Sequence, residues 1–109
     1  MKKPVKVFVH KWIKKPGAIN YTSVLTLAAE YQDAAQDDEE ICDHAFRIFN
    51  APEEFLFKEE IEILGDYRKG FPSLSVGDFV QVGDVKFECM GRGWKIVDEI
   101  PVGKETELN

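Results

Sequence analysis

Phe79-Val80-Gln81-Val82-Gly83-Asp84-Val85-Lys86-Phe87-Glu88-Cys89 is the stretch that decides the fold. Two alternating runs flank Gly83-Asp84, and a two-residue Gly-Asp connection marks a tight β-hairpin. The pairing it predicts sets Val82 opposite Val85 and Val80 opposite Phe87. One face then carries Val80, Val82, Val85, Phe87 and Cys89, and the other Phe79, Gln81, Lys86 and Glu88. A half-buried antiparallel sheet requires that alternation. Met90-Gly91-Arg92-Gly93 turns the chain again, and Trp94-Lys95-Ile96-Val97 reads as a third strand of the same meander.

Outward from the meander, the N-terminal residues 4–13 alternate Val5, Val7 and Val9 with Lys6, Phe8 and His10, a period of two that argues for a strand. Lys14-Lys15-Pro16-Gly17 ends it in a turn. Residues 22–36 place Val24, Leu25, Leu27, Ala28, Tyr31 and Ala35 on one broad helical face, with Thr22 or Ser23 as cap, although Val24-Leu25-Thr26-Leu27 also fits a strand. Residues 36–40 read as an acidic loop and residues 41–49 as another strand. Asn50-Ala51-Pro52-Glu53-Glu54 has the grammar of a helix start, and Phe57, Ile61 and Leu64 continue a helical stripe that Gly65 ends. From Pro101 the polar tail, residues 101–109, is expected to fray. The sum is one α+β domain over residues 1–100: a small antiparallel sheet or partly open barrel, a C-terminal three-stranded meander, and one or two packing helices, the surer spanning 52–64.

Ser73-Leu74-Ser75-Val76-Gly77-Asp78-Phe79-Val80 opens the meander. Leu74 and Val76 are suited to pack, Gly77 to permit a tight approach and Asp78 to satisfy local amides. The segment resembles the Leu-x-Val-Gly-Asp-x-Val opening of a strand in small β-barrel modules such as PUA- and ASCH-like domains. A wider pattern joins Phe46-Arg47-Ile48-Phe49-Asn50-Ala51-Pro52-Glu53-Glu54, a helix, Pro72 to Asp78, and a cysteine near Gly93-Trp94. It is similar to small plasmid and phage proteins that are YodL-like in this C-terminal motif. That resemblance covers residues 46–97 and implies a mobile-element origin, with no activity to carry over.

With 109 residues and 44% hydrophobic content, the chain has the size and composition for one buried core without metal or disulfide. The first residues lack the apolar stretch of a secretory leader, and residues 24–29, the longest apolar run, are far too short to cross a bilayer. The expectation is a cytoplasmic protein with no membrane partner and two reduced, buried thiols, Cys42 and Cys89. Charge is segmented. Residues 1–29 hold six lysines and no acid, residues 30–66 hold 13 acids against Arg47 and Lys58, and residues 67–109 hold seven acids against six bases.

No chemical motif emerges. On a strand Cys42 and His44 would share a face, but with Phe46 and Ile48 beside them they read as core rather than as zinc ligands. Nothing in the spacing selects a Cys-His-acid set, and Gly91-Arg92-Gly93 lacks the strand-to-helix setting of a phosphate loop. No cofactor, metal or catalytic residue is expected, and the chain reads as non-enzymatic. Two surfaces remain. The acidic one comprises Asp37, Asp38, Glu39, Glu40, Glu53, Glu54, Glu59 and Glu60, suited to a basic groove on another protein, a host defence protein if the chain comes from a mobile element. The alternative is a nucleic-acid or nucleotide face on the first strand, with Lys6, Phe8, His10 and Trp12 on one side and Lys11 beside them. Overall acidity makes nucleic acid the less favoured partner.

Overall fold

The computed structural model describes residues 2–65 and 73–107. Within them the chain runs β1 (Lys3–Ile13), β2 (Thr22–Asp33), α1 (Asp38–Asn50), a 3-10 turn (Glu53–Phe55), α2 (Lys58–Leu64), β3 (Phe79–Val82), β4 (Val85–Cys89), β5 (Trp94–Val97) and β6 (Glu105–Glu107). The strands form one antiparallel sheet, ordered β5-β4-β3-β1-β2-β6, curled into a half-barrel. This is the α+β architecture expected from the meander.

The hairpin adopts the pairing read from its sequence: Val82 faces Val85 and Val80 faces Phe87. Val80, Val82, Phe87 and Cys89 are buried, and Val85 packs against them at the margin. The positive φ of Gly83 (58°) meets the turn's demand for a left-handed residue. β1 lies at the heart of the sheet between β3 and β2, and its Val5, Val7 and Val9 point into the main core.

Five expectations are corrected. Residues 22–33 form strand β2, not a helix. The register explains the misreading: Val7 pairs with Ala29 and Phe8 with Leu27, so Ala28 is an extra residue, a β-bulge. Before the bulge Leu25 and Leu27 face away from the helices. After it Ala29 and Tyr31, paired with Val7 and Val5, face the core. A strand that changes face midway does not show a clean period of two.

Residues 41–49 lie in helix α1, not in a strand, and α1 begins inside the acidic stretch read as a loop. Ile41, Cys42, Ala45, Ile48 and Phe49 are buried, an i, i+1, i+4, i+7, i+8 stripe. Asp38, Glu39 and Glu40 occupy the first turn, where carboxylates favour the helix dipole. Cys42 and His44, expected on one face, therefore diverge.

The helix read over 52–64 is a 3-10 turn, an extended break at Leu56 and Phe57, and the short α2. The Phe57 N–H donates to Glu60 Oε1 at 2.8 Å, tying off the α2 start. Gly65 ends α2 as expected, with φ 47°. The tail does not simply fray: β6 pairs with Thr22, Ser23 and Val24, and the Gly103 N–H donates to the Leu25 carbonyl at 2.7 Å. Pro72 of the family-like segment and the last two tail residues lie outside the described residues.

The helices cover one face of the sheet, closing over the main core of Val5, Val7, Val9, Ile41, Ile48, Phe49 and Val80. The opposite face carries a smaller cluster, Phe8, Leu25 and Phe79, with Val97 and Ile100 packed on it. Among the described residues no helix is long and apolar enough to cross a membrane.

Candidate functional site

The acidic residues lie mostly on the helical layer. Asp37, Glu39 and Glu40 are exposed at the start of α1, Glu53 and Glu54 in the 3-10 turn, and Glu59 on α2. Asp38 is half-buried and accepts a 2.7 Å bond from Lys3 Nζ. Glu60 departs from the expectation: it is 5% exposed and turned inward, so it belongs to no surface. Its carboxylate accepts from Arg47 and meets His44 Nε2 at 2.8 Å, while His44 Nδ1 lies 2.7 Å from Asp33 Oδ2. With a carboxylate on each nitrogen, His44 donates twice only as imidazolium. Burial alone would lower its pKa, but the bonds and charges of Asp33 and Glu60 outweigh burial and hold it above the ordinary value. Burial would raise the Glu60 pKa, and the Phe57 N–H, His44 and Arg47 together pull it below the usual range. This cluster stitches the end of β2 to both helices.

Between the acids stand uncovered aromatics. Phe55 is 67% and Phe57 68% exposed, with Ile61 also in solvent. Arg47 holds this region from below: its guanidinium donates to the Phe55 carbonyl at 3.0 Å and lies 5.6 Å from the Phe57 ring centroid. Apolar content alone gives no warning of this, because Phe55 and Phe57 fit a helical core stripe if one continuous helix is assumed.

The basic strand is altered in two ways. Phe8 is 6% exposed in the outer cluster and offers no ring for stacking. Lys6 approaches Glu30 at 3.8 Å, Lys3 pairs with Asp38, and Lys15 meets Glu105 at 2.8 Å, so the lysine arm is partly neutralised within the fold. Lys11 keeps an interaction of its own. Trp12 and His10 remain accessible.

His10 joins the motif that opens the meander. Asp78, 2% exposed, accepts the Ser75 N–H on Oδ2 at 2.8 Å and the His10 N–H on Oδ1 at 3.0 Å. His10 Nδ1 lies 2.6 Å from the same Oδ1. The local-amide role expected for Asp78 is thus present and extends to an imidazole in β1. Leu74 is buried as expected, while Val76 is exposed. Beside the pair opens a cleft lined by His10, Trp12, Ser23, Ser75, Asp78 and Thr106. Chain distance hides this site: each partner is visible in its own segment, and nothing local links strand β1 to the Val-Gly-Asp turn.

The thiols are not poised for nucleophilic attack. Burial raises the Cys42 pKa, and Asp43 and Asp38 add to it; burial, then Asp78 and Glu88, raise that of Cys89. No family model, curated protein or solved structure matches the chain, so its function is argued from the geometry above.

Proposed function

We propose that the chain is a non-catalytic interaction protein that docks a basic surface of another protein through its acidic helical layer. The observation that carries this reading is the pair of exposed rings, Phe55 and Phe57, set among Glu53, Glu54 and Glu59. Binding surfaces concentrate their energy in a few large apolar anchors and surround them with polar groups. Acids at the rim steer a cationic partner and reject an anionic one. The exposed acids at the start of α1, Asp37, Glu39 and Glu40, extend the same field. Following the likeness to plasmid and phage proteins, the partner is a host protein, with a nucleic-acid-binding groove of a defence protein as the chemistry that fits.

The test is capture from host lysate on immobilised protein, comparing the wild type with Phe55→Ala/Phe57→Ala and with Glu53→Gln/Glu54→Gln/Glu59→Gln. All five positions are exposed, so both variants keep the fold. The expected result is a basic protein retained by the wild type at least about tenfold better than by the aromatic variant, with the acidic variant losing its dependence on salt. Capture equal in all three, or no basic protein captured, overturns the reading.

A further inference from the structure

We propose that the cleft beside His10 and Asp78 binds a small planar heterocycle carrying an N–H donor, of the nucleobase kind. The site lies on the face of the sheet opposite the helices and does not depend on the docking surface proposed above.

The argument begins with Asp78. Two backbone N–H groups, of Ser75 and His10, already donate to its two oxygens, so the carboxylate acts as an acceptor. The third partner, His10 Nδ1 at 2.6 Å, therefore carries the proton. A neutral imidazole protonated on Nδ1 leaves a lone pair on Nε2, and the partner of one nitrogen fixes the role of the other. Among the described residues Nε2 has no hydrogen-bond partner. His10 is in part open to solvent and lines the cleft, which gives that acceptor an approach.

Two further features give the ligand its shape. Trp12 and Ser23 are paired across β1 and β2, and Ser23 is paired with Thr106 across β2 and β6, so the three share one row of the outer face, two residues beyond His10. Trp12, half exposed, supplies a flat apolar wall on which a planar ring gains stacking energy. Ser23 is 5% exposed and lines the cleft, where its hydroxyl is placed to donate to or accept from a bound ligand. An acceptor, a hydroxyl that both donates and accepts, and an aromatic wall together describe a ring with a donor and an acceptor on its edge. Gly77, whose φ of 92° favours glycine, forms the turn beside the imidazole, with room for a Cβ at an ordinary 4.0 Å from His10 Cε1.

The experiment titrates adenine, guanine, cytosine and uracil, as free bases and within a short single-stranded oligonucleotide, into ¹⁵N-labelled protein. The readouts are the His10 Nε2 resonance and Trp12 fluorescence in a Trp94→Phe background. The expected result is saturable binding of at least one free base below about 1 mM, with the His10 Nε2 signal shifting. Trp12→Ala, a change at an exposed position, and His10→Ala should each weaken it about tenfold, and Ser23→Ala about threefold. A folded Trp12→Ala protein keeps the test decisive if His10→Ala fails to fold. The proposal is overturned if no free base saturates, if only the oligonucleotide binds, or if Trp12→Ala leaves affinity unchanged.

Discussion

Each face of the sheet carries one histidine against buried carboxylate, and the two pairs are built differently. On the helical face His44 spends both nitrogens, one on Asp33 and one on Glu60, and Arg47 shares Glu60. On the outer face His10 spends Nδ1 on Asp78 and leaves Nε2 toward a cleft. The same two residue types thus serve cohesion where every nitrogen is satisfied and recognition where one is not. Neighbours decide which. Two elements, β2 and α2, each bring a carboxylate to His44, while the turn before β3 brings one to His10; the two side chains are about equally exposed, at 36% and 33%.

The largest effect should come from the helical layer that carries His44. Phe49→Ala, removing a fully buried ring of α1, should cost about 3–5 kcal/mol in urea unfolding. A cost below about 1 kcal/mol would show that the helices do not form the main core. Next, Glu60→Ala removes the acceptor shared by His44, Arg47 and the Phe57 N–H, and should cost about 1.5–3 kcal/mol. Equal stability in the variant would break the contrast between the two histidines.

A pH series sharpens that contrast. The folded pKa of His44 is raised, so its contribution is complete below the unfolded value of about 6.5 and fades as pH rises through the folded value. Glu60 is depressed, so its contribution is complete above the unfolded value of about 4.3 and fades as pH falls through the folded one. Stability should therefore peak between about pH 4.3 and 6.5 and decline on the alkaline side. In His44→Gln the alkaline decline should vanish. Its persistence would assign the decline to another group. The smallest effect is expected outside: Trp12→Ala should change stability by under about 0.5 kcal/mol, because the ring is half exposed. A larger loss would make Trp12 part of a core rather than the wall of a cleft.

What the sequence disclosed follows from how local each signal is. The Gly83-Asp84 hairpin and the valine alternation of β1 depend on neighbours within a few positions, and both were legible. α1 was ambiguous because Cys42, His44, Phe46 and Ile48 satisfy a strand period while Ile41, Ala45 and Ile48 satisfy a helical one. The acids at 38–40, which read as an acidic loop and as surface charge, are the tie-breaking signal, because carboxylates in a first turn favour a helix. β2 hid behind its bulge, and α2 behind the break at Leu56 and Phe57. Of the acidic surface, seven members are at least partly accessible and Glu60 is not, because a carboxylate beside Arg47 and His44 is stable inside. The His10–Asp78 pair joins segments at opposite ends of the chain, and only the β1–β3 pairing brings them together.

The bulge at Ala28 has a consequence for association. β6 covers Thr22, Ser23 and Val24, and Gly103 and Lys104 bond the Leu25 backbone, so β2 beyond Leu25 is a sheet edge without a strand partner among the described residues. A long, regular edge invites another chain to add a strand, and an irregular one refuses it. The extra residue interrupts that edge in mid-length, beside the exposed Leu27. A chain lacking Ala28 would present an even row of free amides and carbonyls. It should assemble into oligomers visible by light scattering at concentrations where the parent chain stays dispersed.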